Sequence, residues 1–175
     1  NVTDDVKIAL DKYKHKKGII LDLRDNPGGL ISEAVDLVSL FIGDGTIVSY
    51  SRRDGSDVEL SADNANPDIS PMTVLISRST ASSAEVVAGA LQDRNRAVIL
   101  GEKSYGKGTV QEISTLSDGS QLEITVGKYR TPAGRMIDQI GISPDLLVSD
   151  NNAISKSIQV LGGLAAIEDT GKPQK

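Results

Sequence analysis

The chain has 175 residues, a formal charge of −5 and no cysteine or tryptophan. That length fits one domain with appendages, and the acidic balance argues against a nucleic-acid binder, which would normally present a basic face. Without cysteine there are no disulfides, thiolate nucleophiles or thiolate zinc sites, and no apolar run approaches the ~18 residues that span a bilayer.

Apolar residues make up 38% of the sequence and Phe41 is the only phenylalanine, so the core must be built from Ile, Val, Leu and Ala. The chain opens at Asn1 with no methionine or signal-like segment, which reads as a piece of a longer protein. Residues 1–150 are expected to form the core domain, and residues 151–175 a terminal helix with a flexible tail from Glu168.

Thr3–Lys16 is predicted to be a helix with Thr3 as N-cap, acidic residues in its first turn and lysines in its last. Val6, Leu10 and Tyr13 form its buried stripe, and Gly18 ends it. The apolar run Gly18–Arg24 reads as a buried, parallel strand. A turn at Asp25-Asn26-Pro27-Gly28-Gly29 then opens an amphipathic helix over Leu30–Ile42, the front of a βαβ unit.

Thr46–Arg53 and Val58–Leu60 are predicted to pair as a hairpin across Asp54-Gly55, and Ser61–Pro71 is predicted to be loop. Pro71–Ser77 is the next buried strand, Ser82–Asp93 a second crossover helix and Arg96–Gly101 a third strand. Thr109–Leu116 and Gln121–Tyr129 form an antiparallel pair around Ser117–Ser120, and Asn151–Ile167 is a terminal helix.

Ser82 falls between a buried strand and a helix, where backbone N–H groups and a positive dipole end converge. Ser79, Thr80, Ser82 and Ser83 also read as competing N-caps. The usual histidine partner of a serine nucleophile is missing. The one histidine, His15, lies in the basic run Lys12–Lys17 as a solvated helix-end residue. Lysine can replace histidine as base when burial lowers its pKa. Lys107, between Gly106 and Gly108, is approachable for that role, although a surface-loop lysine has the same local sequence.

The stretch Gly101–Thr109 nearly fits the phosphate-cradling pattern G-x-x-x-x-G-K-[ST], but Gly108 stands where a magnesium-binding hydroxyl is needed and β-type residues follow. The Gly28-Gly29 turn could present N–H groups to a developing oxyanion, or be an ordinary strand-to-helix turn. Asp22, Asp25, Glu33 and Asp36 show no metal-ligand spacing with histidine, so neither a metal nor a cofactor is predicted.

Taken together, Leu21–Gly29, Ser79–Asp93, Gly101–Gln111 and Tyr129–Val148 resemble, in that order, the protease core of the carboxyl-terminal processing peptidases, or tail-specific proteases. The resemblance implies an α/β, crotonase- and Clp-protease-like βα core with an antiparallel hairpin extension. It implies endoproteolysis at or near C-terminal tails, with Ser82 as nucleophile, Lys107 as base and Gln111 orienting the lysine. Gly28, Gly29 and Ser83 become oxyanion donors and Asp93 a supporting residue.

The family's small-residue run is altered here at Ser83-Ala84, which leaves Ser83 as an alternative to Ser82, with Ser82 favoured. For Gln111 to touch Lys107, four residues before it, the segment should be turn-like in the active form despite its β-leaning residues, since a strand would separate them by ~13 Å. The resemblance also implies a PDZ domain, which this sequence does not supply, protein substrates, and a homo-oligomer or adaptor as further partner. It places members mostly in the cell envelope or a plastid lumen. Two other readings stay open: a non-catalytic peptide-binding scaffold and a crotonase-type acyl-CoA enzyme.

Overall fold

In a computed structural model, residues 1–52 and 54–170 are described, the side chains of 168–170 excepted. Two four-stranded sheets carry the chain. Helix α1 (Val2–Lys12) precedes strand β1 (Ile19–Asp22), helix α2 (Ile31–Ser39), and strands β2 (Asp44–Ser51), β3 (Asp57–Asp63) and β4 (Met72–Ile76). Helix α3 (Ser83–Asp93), strands β5 (Val98–Gly101), β6 (Thr109–Thr115), β7 (Gln121–Arg130) and β8 (Leu146–Leu147), and helix α4 (Asp150–Thr170) follow. One sheet is parallel, in the order β1-β4-β5-β8. The other is antiparallel, in the order β3-β2-β7-β6.

All five residues of β4 are buried, as expected of a central parallel strand covered on both faces. The two-residue period of the strand divides them between two clusters. Met72, Val74 and Ile76 join α2 and α3 in the larger core, whereas Leu75 packs with Leu100 and Ala153 under α4. The α/β sandwich and its hairpin extension therefore agree with the sequence reading.

Local boundaries differ. Helix α1 starts earlier because the Asn1 side chain accepts the Asp4 N–H at 2.8 Å, so Asn1 and not Thr3 is the N-cap. Thr3 is buried instead, its hydroxyl directed at Glu33 of α2. The helix stops at Lys12, leaving Tyr13 exposed and outside the expected stripe. Strand β3 runs three residues into the predicted loop because Ser61, Ala62 and Asp63 continue the ladder with β2. The two-residue β8 is too short for a periodic signal, and of the tail expected from Glu168, residues 171–175 lie outside the described residues.

Candidate active site

Strands β1, β4 and β5 are parallel neighbours, so the segments leaving their carboxyl ends must lie side by side. Those segments are Asp25–Gly29, Ser77–Ser82 and Glu102–Gly108. The carboxyl edge of such a sheet is where α/β folds habitually place ligands. Hydrogen bonds lock the first two together: Thr80 Oγ1 donates to the Leu23 carbonyl at 2.7 Å, and the Ala81 N–H to the Asn26 carbonyl at 3.0 Å. The third joins them through the Tyr105 N–H, which donates to the Thr80 carbonyl at 2.9 Å.

Ser82 is the N-cap of α3 and takes φ 58°, ψ −126°, outside the regions ordinary residues favour. Such a backbone costs ~1–3 kcal/mol and persists only where its surroundings impose it. Glu85 supplies much of that constraint. Its carboxylate, fully buried, accepts the N–H of Ser82 at 2.9 Å and of Lys107 at 2.8 Å on Oε2. On Oε1 it accepts the Gly106 N–H at 2.7 Å and the Ser104 hydroxyl at 2.5 Å. The backbones of the candidate nucleophile and candidate base are thus tied to a single oxygen. The sequence reading used Glu85 only to count back to Ser82, although a glutamate three residues into a helix that begins with serine is a capping-box signal in itself.

The loop bearing Lys107 is fixed on its other side as well. The Gly106 carbonyl accepts the Gln139 N–H at 2.8 Å and the Gly108 carbonyl the Tyr129 N–H at 2.7 Å. A Cβ on Gly108 would stand 2.2 Å from the Asp138 nitrogen, so close backbone approach explains that glycine. The Lys107 side chain is exposed and makes no hydrogen bond or ion pair with any described residue. In this conformation Gln111 is not on the turn expected of the active form. It lies exposed in β6, opposite Thr125 of β7, just after a register shift at Val110–Gln111. Its β-forming neighbours complete a ladder there, and that outweighs any turn.

Gly28 is pressed against the nucleophile turn at φ 93°: an added Cβ would lie 2.7 Å from the Ala81 carbonyl oxygen and 2.8 Å from the Ser82 Cβ. Its N–H donates to Asn26 Oδ1 at 2.9 Å, and the Gly29 N–H donates to Ser83 Oγ at 2.7 Å. Two of the three expected oxyanion donors are therefore engaged by side chains, whereas the third, the Ser83 N–H in the first turn of α3, meets no acceptor among the described residues. Asp93 ends α3 far from Ser82. It accepts the Ala133 N–H at 2.9 Å and pairs with Arg135, pinning the turn after β7. Among the described residues no group of three or more His, Cys, Asp or Glu is placed to hold a metal ion.

Residues 1–148 match peptidase family S41. The chain belongs to that family. Over 150 residues it is 44% identical to a carboxyl-terminal-processing protease of Synechocystis, covering 85% of this chain and 35% of that protein. Over 145 residues it is 45% identical to a carboxy-terminal-processing protease of Bartonella bacilliformis, covering 81% of this chain and 32% of the relative. Among solved structures it is similar to the photosystem II D1 C-terminal processing protease, with a TM-score of 0.75 at 38% identity over 90% of this chain and 42% of that one. The chain thus spans about a third of the length of the curated relatives it matches. The resemblance read from the four motif segments is in accord with these matches, as is the fold class.

Proposed function

We propose that this chain carries the catalytic core of a serine endopeptidase acting on proteins at or near their C-terminal tails. The observation that carries the proposal is Ser82, held at positive φ at the start of α3 by the same carboxylate that holds the backbone of Lys107. In the proposed reaction Ser82 Oγ attacks the substrate carbonyl carbon while uncharged Lys107 Nζ takes the hydroxyl proton. The C–N bond then breaks, the amine leaves with that proton, and an ester to Ser82 remains. Water attacks the ester carbonyl carbon while giving a proton to Lys107, the C–O bond to Ser82 breaks, and Lys107 returns that proton to Ser82 Oγ, restoring the hydroxyl and the uncharged amine.

The Ser83 N–H is the donor ready to receive the oxyanion. Gly28 and Gly29 join it once the charged oxygen displaces Asn26 Oδ1 and Ser83 Oγ. Lysine gives up its charge more readily when desolvated, and substrate lying over the exposed Lys107 supplies that cover. In this reading Gln111 reaches Lys107 only after β6 rearranges near its bulge, and Asp93 supports the site from a distance. The relatives' names support protein tails as substrates and, where they are called chloroplastic, a plastid setting.

A second reading, a peptide-binding scaffold without catalysis, is favoured by the unpartnered Lys107 and the engaged glycine N–H groups. Cleavage of an unfolded test protein by the full-length protein separates the two. Ser82→Ala and Lys107→Ala are each expected to lower turnover by at least ~10², and a serine-reactive fluorophosphonate to label Ser82. Absence of both cleavage and labelling would leave the scaffold.

A further inference from the structure

Strand β7 carries one residue more than β6 can match. Val110 pairs with Gly127 and Gln111 with Thr125, so Val126 stands opposite no residue of β6. Such a bulge bends its strand and re-aims the side chains around it. Beside it opens a hollow of about 300 Å³, lined by the apolar Val126 and Met136 and by three cations, Arg52, Lys128 and Arg130. The rest of its lining, Ser51, Thr125 and Gly127, is uncharged.

Two of the cations have carboxylate neighbours outside the lining. Lys128 Nζ is held by Asp138 Oδ2 at 2.7 Å, and Arg52 Nη2 lies 3.5 Å from Glu112 Oε1 where both side chains are about half exposed. An ion pair so open to water contributes little. Arg130 has no carboxylate partner among the described residues, and its side chain meets only the Gly134 carbonyl, at 3.5 Å. In a chain with a formal charge of −5, the hollow is therefore a local excess of positive charge.

We infer that this hollow is a subsite for a carboxylate on the substrate peptide, gripped by Arg130 and Arg52 while the residue that carries it rests on Val126 and Met136. The inference rests on the proposed reaction, because the hollow adjoins the lysine loop. Thr109, two residues beyond Lys107, pairs with Lys128, and the Asp138 backbone is the one packed against Gly108. Two strand residues and one rung amount to on the order of 10 Å, so an extended peptide brings a carboxylate there roughly four residues from the cleaved bond. The planar fork of a guanidinium matches a carboxylate with two parallel hydrogen bonds. That carboxylate is either the free end of a protein tail or an acidic side chain near it.

The test uses the full-length protein with Ser82→Ala, so that peptides bind without being cut. Three peptides carry benzophenone-alanine next to their last residue, which is leucine with a free carboxylate, leucine amide or aspartate amide. Irradiated benzophenone inserts into nearby C–H bonds, and attachment at Met136 is mapped by mass spectrometry. The two peptides bearing a carboxylate at the end are expected to attach about three- to tenfold more than the leucine amide. Added salt should shrink that difference, and Arg130→Gln should erase it, with Arg52→Gln as the second variant if the first does not fold.

Attachment by the free-acid leucine alone assigns the subsite to chain ends, and by the aspartate amide alone to acidic side chains. Equal attachment by all three peptides, a difference that survives both arginine variants, or no attachment within residues 125–136 overturns the subsite. If fluorophosphonate still labels wild-type Ser82 in that event, the proposed reaction stands without it. If the wild type neither labels nor cuts while attachment occurs, the reaction falls and takes the substrate role of the hollow with it.

Discussion

Glu85 offers the sharpest test of how the site is assembled. Its two carboxylate oxygens accept four donors, three of which are backbone N–H groups that cannot turn away. Replacing it with glutamine keeps the shape but turns one oxygen into an NH₂ group. If the NH₂ takes the Oε2 position, it faces the N–H groups of both Ser82 and Lys107. If it takes the Oε1 position, the Ser104 hydroxyl can rotate to accept from it, giving up its own donated bond, and the Gly106 N–H is the one backbone donor left without an acceptor. The second arrangement is the better one. A single buried N–H left unsatisfied costs ~1–3 kcal/mol, so Glu85→Gln is expected to lose about that much stability in urea unfolding. Glu85→Ala leaves all three N–H groups unmet and should lose ~3–5 kcal/mol. The glutamine variant should also slow fluorophosphonate labelling of Ser82 by ~10- to 100-fold, because small displacements of a reacting group are costly. Unchanged stability together with unchanged labelling would refute the idea that Glu85 fastens the two loops.

Gly28→Ala is expected to destabilise by ~1–3 kcal/mol, since the methyl group would overlap the Ala81 carbonyl and Ser82 at a positive φ. Gly29→Ala, whose methyl meets nothing within 4 Å, should unfold at nearly the wild-type urea concentration. For Asp68, burial opposes the charge, but the Lys16 amine at 2.6 Å and the hydrogen bond from the Ser70 N–H outweigh it, so the carboxyl titrates below its ordinary range. A lowered folded pKa means its contribution is complete above the unfolded value of ~3.9 and fades as pH falls through the folded value. Asp68→Asn should thus be less stable than wild type at neutral pH and match it near pH ~2, which urea melts at several pH values would show. Thr73 Oγ1 is buried without a hydrogen-bond partner among the described residues, so Thr73→Val should raise stability by ~1 kcal/mol in the same assay.

The parallel sheet was legible in the sequence because β1, β4 and β5 are apolar runs punctuated by glycine or serine turns, although only β4 is buried throughout and β1, at the sheet edge and expected to be buried, is half-buried with Asp22 exposed. The meeting of Gly28, Ser82 and Lys107 followed from motif order, since loops from neighbouring parallel strands share an edge. What escaped was decided by single side chains. Nothing periodic in the sequence marks Asn1 as a better cap than Thr3, or the extra rungs that carry β3 to Asp63. The turn expected at Lys107–Gln111 in the active form is not present in this conformation, where the ladder between β6 and β7 engages the backbone from Thr109 onward.

Under the proposed reaction, the division between what is fixed and what is free decides where activation must occur. The backbones of Ser82, Gly106 and Lys107 are bonded to Glu85, Gly106 and Gly108 are bonded to Gln139 and Tyr129, and the turns after β1 and β4 are bonded to each other. Moving any of these segments would break several buried hydrogen bonds at once. The Lys107 side chain is unrestrained, and the N–H groups of Gly28 and Gly29 are held by one side-chain acceptor apiece. One hydrogen bond contributes a net ~0.5–1.5 kcal/mol, well within what an oxyanion can repay by accepting the same N–H groups. In the proposed reaction, the passage from this conformation to a catalytic one is therefore a matter of side chains and two peptide units at the Gly28-Gly29 turn, with β6 adjusting at its bulge, on a frame that stays in place.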